Sequence, residues 1–293
     1  MKKILRSVAA LAVVMFAGCT TDMTDEVVAP VTGETTTITV GFDETKTSLG
    51  ELVDGVRKVY WSNGDQIAVN GVVSAAAAID ENNNSVASFT FESALATPYS
   101  ALYPAEAYVD AQTINLPSNQ GRGVENVAAD ALPMAVYSTV EGEALVMHHL
   151  AGAFRFRIKQ SATESADIHE IHHVELRGNN GEQLSGNFAI DYEAVTLTAT
   201  STNEADKVAY SLVNKDSSTE NELNVFVVVP AGAYEQGITL RIVDAAGHYM
   251  DVKSTATTIA KGEIKAMPAV EFVPTGTLIN VEIKSAADLV LQR

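Results

Sequence analysis

Five residues have the spacing of a metal centre: His169-Glu170-Ile171-His172-His173 reads H-E-x-x-H. On a helix, positions i and i+4 share a face, so both outer imidazoles could hold one Zn²⁺ while the glutamate acts as a general base. The residues that follow, Val174-Glu175-Leu176-Arg177-Gly178, alternate apolar with polar and then turn, which is a strand pattern. In a strand His169 and His173 stand about 13 Å apart at about 3.3 Å per residue. Ligands of one zinc must each come within about 2.1 Å of it. No third ligand follows at helical spacing, and His148, His149 and His248 could join only through the fold. The five residues are therefore read as a solvated or edge segment. The chain has no G-x-S-x-G, no phosphate-cradling glycine loop and no spacing that singles out a carboxylate pair. Asp80-Glu81-Asn82-Asn83-Asn84 is rich in oxygen but lacks the glycine and closing glutamate of a Ca²⁺ loop, and reads as a polar hairpin loop. The expectation is no catalytic residue, no metal and no cofactor.

Cys19, the single cysteine, has a different chemistry. It closes Phe16-Ala17-Gly18-Cys19, which resembles a bacterial lipobox, in which small residues precede a cysteine that is diacylated and becomes the first residue of the mature chain. The preceding residues fit an export signal. Lys2, Lys3 and Arg6 are basic, and Val8 to Ala17 is apolar. That stretch is too short for a membrane span, which needs about 20 apolar residues. Two acyl chains hold a membrane where one does not, so a lipidated Cys19 would be a stable anchor. The following Thr-rich stretch carries Asp22, Asp25 and Glu26 and reads as a tether. Acidic residues just after a lipidated cysteine resemble signals that send some lipoproteins to the outer face of the outer membrane.

Composition narrows the partners. The chain has 293 residues, 19 Lys+Arg, 37 Asp+Glu and a formal charge of −18. A sequence pI near 4.6 without a basic cluster excludes nucleic acid as a partner, because a phosphate backbone would be repelled. Loss of residues 1–18 removes three more positive charges, which suits an exposed body on a lipid tether and not an anionic membrane surface. One cysteine rules out an internal disulfide framework and a thiolate zinc cage.

The elements that must position these groups are strands. Ile38, Val40 and Phe42 alternate with Thr37, Thr39 and Gly41. Val59-Tyr60-Trp61 and Ile67-Ala68-Val69 flank Asn63-Gly64-Asp65, which predicts a hairpin. Ala87, Phe89 and Phe91 alternate. Tyr99, Ala101 and Tyr103 line a segment that stops at Pro104, which cannot donate to a ladder. In the second half Phe154, Phe156 and Ile158 alternate, as do Val174 and Leu176, and Ile238, Leu240 and Ile242. The apolar run Asn224 to Val229 reads as a central strand buried on both faces. No stretch beyond the signal holds a long 3.6-residue period. Short strands separated by turns predict an all-β chain of sandwiches, and the length predicts two of them. The expected organisation is a lipoprotein signal at 1–18, a tether at 19–35, sandwiches at 36–147 and 148–275, and a tail at 276–293.

Taken in order, Val59-Tyr60-Trp61-Ser62-Asn63-Gly64-Asp65-Gln66-Ile67, Tyr99-Ser100-Ala101-Leu102-Tyr103-Pro104, His149-Leu150-Ala151 leading into Phe154-Arg155-Phe156, Leu184-Ser185-Gly186-Asn187-Phe188 and Val227-Val228-Val229-Pro230-Ala231-Gly232 resemble a fimbrillin-family lipoprotein. That group includes type V pilus subunits of Gram-negative anaerobes. The resemblance implies two tandem transthyretin-like β-sandwiches, lipoprotein export, and assembly by strand exchange after a protease removes an N-terminal strand. The strand at Ile38, Val40 and Phe42 is the candidate for removal, with Lys46 and Arg57 as candidate processing sites. Arg57 is the residue type that resembles the family's arginine-specific cut, although it lies close to the Val59 strand. Ile279, Val281 and Ile283 alternate and form a candidate donor strand, with a frayed end as the plain alternative. Expected partners are other pilus subunits by strand exchange and the outer membrane through the lipid anchor, with no nucleic acid. Trp61 is read as packed. The alternative function is a monomeric cell-surface binding lipoprotein for glycans, which needs a platform of exposed aromatics; aromatics are only 6 % of the chain, which argues against it.

Overall fold

The computed structural model describes residues 34–42, 60–79, 84–121, 127, 131–160, 170–213 and 222–278. Cys19, Lys46, Arg57, His169, Ile279, Val281 and Ile283 lie outside them, and so does the expected signal at 1–18. The described residues belong to one compact unit that starts at Glu34. Among them the chain is all-β, with short 3₁₀ turns and no α-helix.

The first nine strands are β1 (Thr36–Phe42), β2 (Ala68–Val69), β3 (Val72–Val73), β4 (Val86–Phe91), β5 (Tyr99–Tyr103), β6 (Tyr108–Asp110), β7 (Thr113–Leu116), β8 (Met134–Ser138) and β9 (Leu145–His149). Seven of them form one sheet in the order β3-β2-β5-β8-β9-β1-β4. The chain just after β3 reaches both ends of this order: Ser74 N–H donates to Ile67 O at 2.9 Å, and Ala75 N–H to Thr90 O of β4 at 2.8 Å. The sheet thus rolls around a core of Ile38, Val40, Trp61, Ile67, Phe89, Phe91, Leu145 and Met147. Alternation decides which side chains go in, since successive strand residues face opposite ways. β4 alternates exposed with buried over its length, and its buried Ala87, Phe89 and Phe91 are the predicted set.

The Asn63-Gly64 hairpin expectation is corrected. Asn63-Gly64 is a turn, but Trp61 is in no strand and its N–H donates to Asn84 O at 2.8 Å. The paired hairpin joins β2 to β3 through Asn70-Gly71, at φ +50° and +82°. Both angles are left-handed, as a two-residue hairpin turn needs. The Asn70 side chain holds the turn by donating to Ala96 O and Pro98 O and accepting from Ser100 N–H.

The chain crosses to a second set of sheets at Leu150. β10 (Ala151–Gln160), β11 (Ile171–Gly178), β12 (Gly186–Asp191), β13 (Thr196–Ala199), β14 (Val208–Leu212), β15 (Glu222–Pro230), β16 (Gly232–Tyr234), β17 (Ile238–Asp244), β18 (His248–Lys253), β19 (Thr257–Ile259), β20 (Ile264–Ala266), β21 (Val270–Phe272) and β22 (Gly276–Thr277) follow. One sheet runs β15-β10-β20, with β21 pairing further along β10, and the other runs β14-β11-β17-β18-β22. They close over Phe154, Phe156, Ile158, Val174, Leu176, Val225, Val227, Leu240 and Ile242.

β15 is buried on both faces as its apolar run predicts, but it is an edge strand and not a central one. Its second face, Phe226 and Val228, is covered by Val127, Ala131 and Leu132 from the first half of the chain. A further sheet, β13-β12-β7-β6, draws strands from both sides of the expected boundary near residue 147.

Candidate functional site

β1 lies inside its sheet and not at the edge. It pairs antiparallel with β4 from Thr36↔Phe91 to Gly41↔Val86, and parallel with β9 from Val40↔Leu145 to Phe42↔Met147. Its alternation turns Ile38 and Val40 into the core, at 5 % and 0 % exposure. At its start, Thr36 Oγ1 donates to Ser93 O and accepts from Leu95 N–H, each at 2.9 Å. Taking β1 out would leave two strands with unpaired backbone groups above an apolar trough, which is the arrangement that accepts an added strand.

Trp61 forms one wall of this slot. It is 2 % exposed, and its indole Nε1–H donates to Val40 O at 3.1 Å. Its ring stacks on Phe42, with centroids 4.4 Å apart and planes 28° apart. Phe89 and Tyr103 meet it edge-on at 4.8 Å and 5.1 Å. The turn after Trp61 is pinned by Asp65, whose Oδ2 accepts from Ser62 N–H at 2.8 Å and whose Oδ1 accepts from the Tyr103 hydroxyl at 3.2 Å. The packed reading of Trp61 holds. That β1 supplies two of its contacts was not legible, because pattern alone does not say which strand an indole faces.

β1 ends at Phe42, and Trp61 is the next residue that packs against it. The chain between them includes residues 43–59, the stretch that contains Lys46 and Arg57.

Of the H-E-x-x-H stretch, His172 and His173 lie on a strand and not on a helix. Ile171–Gly178 is strand, as its alternation predicts. A β-bulge between Ile171 and His173 adds one residue opposite β17 and re-aims the side chains there. The result brings His172 Nδ1 and His173 Nδ1 to 2.9 Å, so one ring donates and the other must be neutral there to accept. His173 Nε2 lies 3.5 Å from Glu175 Oε1. That contact, followed by the charges of Arg241 and Arg177, holds the Glu175 carboxyl below its ordinary range against partial burial. Beside it on the same face, Arg241 makes a two-point ion pair with Asp251 at 2.7 and 2.8 Å and lies 4.4 Å over the Tyr249 ring. His248 is remote from this pair in role, holding Asp244 Oδ2 at 2.8 Å across its own turn. Among the described residues no group of three or more His, Cys, Asp or Glu is arranged to hold a metal ion.

No protein-family model matches the sequence, and no curated protein matches it. Among solved structures, the chain is similar to a candidate cell adhesion protein from Bacteroides ovatus, with TM-score 0.51 and 12 % identity over 84 % of this chain and 96 % of that one. A fimbrial protein from Bacteroides ovatus gives TM-score 0.37 and 12 % identity over 80 % of this chain and 50 % of that one. The tip fimbrial protein Mfa3 from Porphyromonas gingivalis, with C-terminal truncation, gives TM-score 0.31 and 9 % identity over 75 % and 81 %. The first of these shares the fold over nearly its whole length. What that similarity shows is the fold: the described strands are arranged as in the Bacteroides ovatus structure.

Proposed function

We propose that this chain is a structural subunit or adhesin of a type V-like pilus, exported as a lipoprotein through Cys19 and assembled by strand exchange. The observation that carries the reading is the place of β1. It is the first described strand, lies inside its sheet between β4 and β9, pairs on both sides, and precedes the rest of the described strands in the sequence by way of residues 43–59. A cut after Lys46 or Arg57 frees the strand covalently while leaving Trp61 and every later strand in the body. The vacated slot then takes a strand from another subunit, with Ile279, Val281 and Ile283 as this chain's own donor in turn. Before the cut the subunit sits at the outer membrane, on the cell surface, held by its lipid; after it, the subunit belongs to the pilus. A non-enzymatic role is supported by the strand geometry of His172 and His173 and by the adhesion and fimbrial character of the similar structures. The two sandwiches at 36–147 and 148–275 are part of the same proposal.

The test is the N-terminal mass and oligomeric state of the protein taken from native outer membranes, by mass spectrometry and a gel run without boiling. A terminus just after Lys46 or Arg57 together with heat-labile ladders is the expected result. A lipidated Cys19 terminus with monomers only overturns assembly by strand exchange and leaves a surface-anchored binding protein.

A further inference from the structure

We infer that the β1 slot selects its occupant by sequence, and that it takes a strand of another polypeptide with the pattern apolar-x-apolar-x-aromatic. The inference rests on the strand-exchange reading and names the partner's chemistry. Three rings of the aromatic box, Trp61, Phe89 and Tyr103, belong to the body and stay when β1 leaves. The fourth, Phe42, leaves with the strand. The indole N–H that donates to Val40 O loses its acceptor at the same moment, and a buried donor without a partner is costly. An incoming strand must therefore supply a carbonyl to Trp61 and an aromatic ring two residues further on.

Any strand offers a carbonyl at every residue, so the carbonyl alone sets no register. The ring sets it. An aromatic two places early meets the position of Val40, and one four places early that of Ile38, at 0 % and 5 % exposure, where aliphatic side chains are closely packed. Trp61 is thus a positioning residue for the strand in the slot: its N–H and its ring face together fix where that strand stops sliding. Ile279, Val281 and Ile283 follow the same alternation but place Ile283 where the slot holds Phe42. That stretch of a second copy fills the trough and leaves the ring face of Trp61 without an aromatic partner. The slot therefore favours a donor from a different subunit over a second copy of this one.

The experiment uses the full chain with a specific protease site placed within residues 43–59, cut after folding. Synthetic peptides of residues 36–42, the same peptide with Phe42→Ile, and residues 277–283 are added to the cut protein. Each peptide carries a fluorescent dye, so its anisotropy reports binding in the native chain and in every variant. The residue 36–42 peptide should bind about three- to tenfold tighter than its Phe42→Ile form, the range expected for one aromatic pair. The residue 277–283 peptide should match the weaker one. In a Trp61→Leu chain the preference should fall to less than about twofold. If that variant does not fold, the peptide comparison on the native chain decides. Equal binding of the first two peptides overturns the selection rule while leaving strand exchange standing. Failure of every peptide to enter the cut protein overturns both.

Discussion

His149 carries the clearest single-residue consequence. It ends β9, its Nδ1 is buried and makes no hydrogen bond, and burial, followed by the charge of neighbouring His148, pushes its imidazole down to about 4. The folded form therefore keeps this ring neutral in a range where the unfolded chain, with an ordinary value of 6.5, already binds a proton. Stability from this group is full above about pH 6.5, falls as the pH drops toward 4, and is lost below it, by at most about 3 kcal/mol. A His149→Met chain should lose less stability than the native one between pH 7 and pH 4.5, read from urea midpoints at the two values. Equal losses in the two chains would show that His149 does not titrate this way. At this scale the sequence says much about type and little about partners. It marks Trp61 as core, yet its acceptor, Val40, lies 21 positions away and no spacing rule links them. It marks His172 and His173 as strand residues, yet the bulge that brings their rings together comes from the register of β17, which the local pattern does not contain.

β1 is held by register, so its elements of stability fail together. Inserting one glycine after Thr39 shifts every later side chain to the other face. Val40 and Phe42 would then leave the core, and the inserted glycine and Gly41 would take their places. The expected result is loss of amide protection along β1 and β9 in hydrogen exchange, a red-shifted Trp61 emission, and a drop in stability of about 3 kcal/mol. Retained protection would mean that β1 is not the strand that the slot grips. Strand existence was legible wherever alternation was strict, as in β1, β4, β10 and β17, because one buried face imposes a period of two. Pairing was less so. Two Asn-Gly steps occur within nine residues, and the second makes the hairpin because both of its residues reach left-handed φ between strands short enough to pair. β15 looked central because both of its faces are apolar, but the second face is covered by Val127, Ala131 and Leu132 and not by a neighbouring sheet.

At the scale of the whole molecule, Gln120 ties the two halves of the chain together. It is 2 % exposed, and its amide pairs both ways with the backbone of Val228 on the free edge of β15, donating at 2.7 Å and accepting at 2.6 Å. Its neighbours run beside β14: Gln120 N–H donates to Tyr210 O, and Tyr210 N–H to Ser118 O. A short piece of the first half thus finishes an edge of the second. Gln120→Ala leaves two backbone groups of Val228 without these partners and should cost about 2 to 3 kcal/mol, measured by chemical denaturation. Separate unfolding steps for the two halves in that variant, against one in the native chain, would mark Gln120 as their coupling. The long reach of β1 has its own consequence in time. The N-terminus emerges first during synthesis, but β1 cannot complete its parallel pairing until Leu145–Met147 has followed. Non-local pairings of this kind close late. Throughout that interval the trough stands open with its edges unpaired, so the order of synthesis leaves the slot for β1 as the last gap in the first sheet to close.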